Sequence, residues 1–141
     1  KLAGELPVEL GQLTQLEVLA INGNDLNGQI PESLGNLEAL KELHLSSNSF
    51  EGQVPLSIGE LRQLTILNLF DNKLSGNLPY NILRNENLEQ LIIAENDLTN
   101  TEAFADLMMF EDEREALFIE GEEIIPSAKK VMAIETSDDD N

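Results

Sequence analysis

The chain has 141 residues, 41% hydrophobic but only 4% aromatic, which is enough for one modest domain with an aliphatic core. Twenty-seven acidic residues against eight basic ones give a formal net charge of −19, which argues against nucleic-acid binding and against contact with an anionic membrane by this segment. With no cysteine, a disulfide framework, a thiolate metal site and a cysteine nucleophile are excluded, and no apolar run approaches the roughly 18 residues of a membrane-spanning helix.

In chain order, the first stretch, "KLAGELPVELGQL", reads as the second half of a unit whose first half is not present. The next segment, Leu16-x-x-Leu19-x-Ile21, ends in apolar residues that alternate with polar or small ones, the period of a half-buried strand. Asn24 follows where the chain must turn, and its amide can both donate to and accept from backbone groups that have lost a ladder partner. Gly28 permits a backbone geometry closed to other residues. Pro31 fixes its own φ and lacks an N–H, so the return segment through Leu34-Gly35-x-Leu37 cannot become a long helix.

These positions recur at a step of 24. Gly4, Gly28, Gly52 and Gly76 keep it, as do Pro7, Pro31, Pro55 and Pro79, and Asn24, Asn48, Asn72 and Asn96. The apolar columns Leu16/Leu40/Leu64/Leu88, Leu19/Leu43/Leu67/Leu91, Ile21/Leu45/Leu69/Ile93 and Leu26/Phe50/Leu74/Leu98 keep it too. So many columns in register over four copies define a repeat, and a repeat that cannot bury its leucines alone must stack on its neighbours. The four asparagines would then form a ladder joining the copies.

The run Leu13-x-x-Leu16-x-x-Leu19-x-Ile21-x-x-Asn24-x-Leu26-x-Gly28-x-Ile30-Pro31-x-x-Leu34-Gly35-x-Leu37 resembles the plant-type leucine-rich repeat, and the resemblance covers residues 2 to about 100. It implies an α/β solenoid: a right-handed superhelix with a short parallel β-sheet on its concave face. It also implies a scaffold without catalysis or cofactor that recognises a protein or peptide, or alternatively a fragment of a receptor-like ectodomain in signalling. Extracellular members of this family usually carry paired cysteines in their caps. Their absence here, with that of any Asn-x-Ser/Thr sequon, points to the cytoplasm. Because the first strand, near Glu17 to Ile21, would be an uncovered edge, further repeats upstream are expected.

The third copy departs from the pattern, with Leu83 in place of a glycine and Asn85 in place of a core leucine. The fourth loses its glycine and proline in "LTNTEAFADL", so the array is expected to span residues 1–100. Residues 101–141 hold 13 acids and 3 bases and are expected to supply an acidic capping helix and a partly disordered tail. Thr99-x-x-Glu102 reads as a capping box, and Ala103, Leu107, Phe110, Leu117 and Phe118 as a partial apolar stripe. "VMAIE" fits no element.

Strand alternation places Val18, Glu42, His44, Ile66, Asn68, Phe70 and Ile92 outward on the concave face as candidate partner-contacting residues. Val18, Ile66, Phe70 and Ile92 are apolar where water is expected, which reads either as a ligand contact or as drift on an unused surface. The single histidine, His44, lies in a row with Glu42 and Ser46, which is not the geometry of a catalytic triad. Glu122-Glu123 and the aspartates Asp138 to Asp140 lack the spaced ligands and glycine of a calcium loop and read as solvated charge.

Overall fold

The computed structural model describes residues 1–104, and the backbone of three short strands beyond them at 117–119, 122–124 and 133–135. In chain order the strands are β1 (Ala3–Glu5), β2 (Val18–Ala20), β3 (Asp25–Gln29), β4 (Glu42–His44), β5 (Ser49–Gly52), β6 (Ile66–Asn68), β7 (Lys73–Gly76), β8 (Gln90–Ile92), β9 (Asp97–Leu98), β10 (Leu117–Ile119), β11 (Glu122–Ile124) and β12 (Ala133–Glu135). Within the repeats, one 24-residue step forms one coil.

Strands β2, β4, β6 and β8 pair side by side, all parallel, with Leu19, Leu43, Leu67 and Leu91 in a single register row. The last three are fully buried, and behind them lie Leu40, Leu45, Leu64, Leu69, Leu88 and Ile93 in one continuous aliphatic core. The sequence left "VMAIE" unplaced; it contains β12, which adds in parallel to the outer side of β8. This sheet therefore has five strands, in the order β12-β8-β6-β4-β2.

A second parallel sheet, β1-β3-β5-β7-β9, was not expected from the sequence. It pairs residues 22 apart rather than 24, as in Gly28 opposite Phe50. A slip of two keeps every side chain on its own face, because the strand period is two. That pairing lets Leu26, Phe50 and Leu74 stay in the core. The sequence signal was the alternation Leu26-x-Gly28-x-Ile30, which is too short to separate a strand from an extended turn.

Each return segment is a 3-10 turn, Val8–Gln12, Glu32–Asn36, Leu56–Glu60 and Tyr80–Arg84, following its proline in extended conformation. Gly59 shows why the turn ends in glycine: a Cβ there would collide with the Asn81 side chain of the next coil. Leu83 occupies the corresponding place in the last 3-10 turn and is buried. The other departure, Asn85, is also buried, with Nδ2 donating to Leu61 O (3.1 Å) and Leu64 O (2.8 Å) and Oδ1 accepting from Asn87 N (2.9 Å). A polar group in a leucine's place is tolerated because it is hydrogen-bonded on both sides.

The asparagines bridge coils. Asn72 Nδ2 donates to Leu69 O (3.3 Å) and Phe70 O (3.3 Å) in its own turn and to Leu45 O (3.0 Å) in the preceding coil, while Oδ1 accepts from Phe50 N at 3.0 Å. Asn48 and Asn96 repeat this arrangement on Ile21 O and Leu69 O. Asn24 donates within its own turn, to Ile21 O and Asn22 O, and accepts from Leu2 N.

At the far end, a helix opens at residues 101–104. The proposed capping box needs correction. The Thr99 hydroxyl bonds Asn77 Oδ1 (2.6 Å), and the amide of Asn100, the residue just before the helix, is bonded both ways to the Leu78 backbone. Phe104, absent from the expected stripe, is the buried residue and stacks on Tyr80 with ring centroids 5.1 Å apart. Leu117 and Phe118, expected on a helical stripe, lie in β10, which pairs antiparallel with β11. Leu107, Phe110 and Asp138 to Asp140 lie outside the described residues.

Replacing Leu67 with alanine is expected to destabilise the fold by about 2–5 kcal/mol, because the site is closed on all sides. Asn72→Ala is expected to cost about 1–3 kcal/mol by stranding the buried Phe50 N–H, while Leu45 O, Leu69 O and Phe70 O each keep one other donor. The exposed Lys73→Ala should stay within about 0.5 kcal/mol. Urea melts followed by circular dichroism rank the three; an Asn72→Ala melt superimposing on wild type would remove the ladder from the account.

Candidate binding face

The four repeat strands fix the outward rows. Val18, Glu42, Ile66 and Gln90 form one row, and Ala20, His44, Asn68 and Ile92 the next. Because paired strands lie about 4.8 Å apart and same-face residues about 7 Å apart, these rows decide which side chains can form a patch. Ile92 on β8 stands beside Asn68 on β6, with Ile66 two residues before Asn68 and Phe70 two residues after it, beyond the end of β6, so the three form an apolar group around Asn68. Asn68 does not interrupt it, since its Oδ1 turns along the strand to accept from Phe70 N at 3.1 Å. Val18, grouped with these residues on sequence, is separated from them: Glu42 stands between Val18 and Ile66 in the row.

Outward alternation holds only over the three residues of each strand. Beyond them the chain turns, so Phe70 is half-buried and Ala94, 24 residues on at the equivalent place, is buried. His44 Nε2 lies 2.9 Å from Glu42 Oε1, two residues away on the same strand. Ser46 lies two residues beyond that strand, and the pairing with Glu42 orients the His44 ring without a nucleophile. Lys41 Nζ sits 3.5 Å from Glu17 Oε1, an exposed pair. Among the described residues no cluster of His, Asp and Glu could hold a metal ion.

The row just beyond the strands carries a backbone constraint. Gly23, Ser47, Asp71 and Glu95 all have positive φ, 70°, 56°, 61° and 61°. The turn out of each strand therefore needs a left-handed residue, and Gly23 in that column was the available signal. The non-glycine members accept strain, and Asp71 and Glu95 are thereby held as exposed carboxylates beside the apolar cluster.

A second ladder, on the outer side, was also missed. Ser33 Oγ donates to Val8 O (2.7 Å), Ser57 Oγ to Glu32 O (2.7 Å) and Asn81 Nδ2 to Leu56 O (3.0 Å). A small polar residue at 33, 57 and 81 was its signal. The large open groove of about 1040 Å³ also lies on this side, between the second sheet and the 3-10 turns, walled by Gln29, Gln53 and Asn77 opposite Leu56 and Tyr80. Its walls repeat from coil to coil, so it is the seam between layers of the solenoid.

Among the described residues no helix is long and apolar enough to cross a membrane. The leucine-rich-repeat family model matches residues 14–74. No curated protein matches the chain at a significant level. Among solved structures, the PEPR1–AtPEP1 complex matches with 42% identity and a TM-score of 0.66, over 68% of this chain and 14% of that one. The ectodomain of the receptor kinase GASSHO1/SCHENGEN3 from Arabidopsis thaliana, solved with CASPARIAN STRIP INTEGRITY FACTOR 2, matches with 41% identity and a TM-score of 0.67, over 68% of this chain and 12% of that one. The BIR3–SERK2 complex from Arabidopsis thaliana matches with 42% identity and a TM-score of 0.66, over 69% of this chain and 52% of that one. The chain thus spans a small part of the receptors it resembles.

Glu95→Val is expected to destabilise by about 1–3 kcal/mol although the site is exposed, because a β-branched residue is poorly tolerated at φ 61°. Glu95→Gly should be neutral or stabilising. A thermal melt in which valine and glycine behave alike would show that the left-handed turn does not constrain this position.

Proposed function

Because this chain is a plant-type leucine-rich-repeat protein, we propose that it is a non-catalytic scaffold that receives a protein or peptide on its concave sheet. The observation that supports this reading is the pair Ile66 and Ile92, placed on the outward face by strand register, with the half-buried Phe70 just beyond the end of β6. Contacts from Glu42, His44 and Asn68 complete the face, with Val18 as a separate apolar point beyond Glu42. Residues 101–141 close the far end of the array in this reading, beginning with Phe104 against Tyr80.

Size bounds the affinity. Five strands by five residues span about 19 by 17 Å, well under the roughly 800 Å² per partner of a standard protein interface. A short peptide suits this area better than a folded domain. The likeness at 37% identity to the Arabidopsis receptor kinase HAESA, solved with the peptide hormone IDA and the co-receptor SERK1, favours a second reading, in which the chain is one segment of a receptor-like signalling protein. Its ligand would then span further coils, and the exposed side chains Leu2, Leu13 and Val18 of the first coil would pack against a preceding one.

Peptides captured by the chain from a synthetic array should be lost on the double substitution Ile66→Ser/Phe70→Ser, with circular dichroism confirming the fold. Removing two apolar anchors is expected to weaken capture by at least about tenfold. Retained capture would move the binding surface off the concave sheet.

A further inference from the structure

We infer that the occupant of the concave face is a basic peptide, one whose apolar side chains are flanked by lysine or arginine; this rests on the reading of that face as a peptide site. The Ile66, Phe70 and Ile92 cluster is bounded by carboxylates at both ends of the strands that carry it. Glu89 precedes β8, while Asp71 and Glu95 stand in the left-handed turns after β6 and β8. All three are exposed and have no ion-pair partner among the described residues.

The one lysine of this face among the described residues is already engaged, with Lys41 against Glu17, and the His44 ring is hydrogen-bonded to Glu42. An acidic partner would therefore meet three unpaired carboxylates and no unpaired cation on this face among the described residues. A neutral apolar partner would desolvate those carboxylates without compensation, which is unfavourable. A partner with cations beside its apolar anchors meets neither penalty, and opposite potentials also hasten encounter. The spacing sets its length. Glu89 and Glu95 are six residues apart, at most roughly 20 Å because the chain turns at Glu95, so a segment of about six residues reaches both ends.

The experiment uses the full chain and an array of random dodecapeptides at low and moderate salt. Peptides whose capture is lost with Ile66→Ser/Phe70→Ser should be enriched in Lys and Arg on either side of apolar residues, and their binding should weaken as salt rises. The double reversal Glu89→Lys/Glu95→Lys is expected to weaken them roughly tenfold. The reversal Glu32→Lys/Glu51→Lys, on the outer side with the same net charge, should change binding less than about twofold.

If the captured peptides that depend on Ile66 and Phe70 are neutral or acidic, the inference falls while the binding reading stands. Equal loss from the two double reversals would trace the preference to net charge and overturn the local site. If no captured peptide depends on Ile66 and Phe70, both the inference and the reading fall.

Discussion

The side-chain amide of Asn72 joins two coils at the point where each strand ends. It satisfies carbonyls in its own turn and in the preceding coil, and its oxygen takes the N–H of Phe50. Few other side chains could do this, because the position needs a donor and an acceptor on one short, planar group. With the same bridge at Asn48 and Asn96, successive coils are held at one strand spacing and in one register. The buried leucine column supplies the favourable energy, and the amides decide where each leucine sits along it.

That register is what makes a functional face. A strand of three residues is too short to define a surface alone. Four of them aligned without slip turn single side chains into rows, and the rows place Ile92 beside Asn68, between Ile66 and Phe70. The same alignment isolates Val18 behind Glu42. A slip of one residue would reverse every side chain between core and solvent, so the stability of the stack and the composition of its outer face are one constraint.

The two sides of the solenoid differ because their pairing differs. The concave sheet steps by 24 residues and repeats the sequence period, so its rows are columns of the repeat. The second sheet steps by 22 and meets tight approaches, as where a Cβ on Gly28 would collide with Glu5. The positive-φ glycines Gly28, Gly52 and Gly76 stay fixed there, while the exposed places Asn27, Glu51 and Ser75 vary. Variation is also admitted on the concave side, where Ala20, His44, Asn68 and Ile92 occupy equivalent places without disturbing the core.

Sequence by itself determined the repeat, its 24-residue period, the buried leucine columns, the bridging asparagines and the candidate outward residues, because each depends on positions that recur at fixed spacing. Tertiary structure decided what spacing does not encode. The second sheet depends on pairing between chain segments 22 apart, and the strand within "VMAIE" on the free edge of β8. The positive φ of Asp71 and Glu95 depends on how each turn leaves its strand. Membership of the apolar cluster depends on which side chains are neighbours across strands. That is a property of register, and no single repeat carries it.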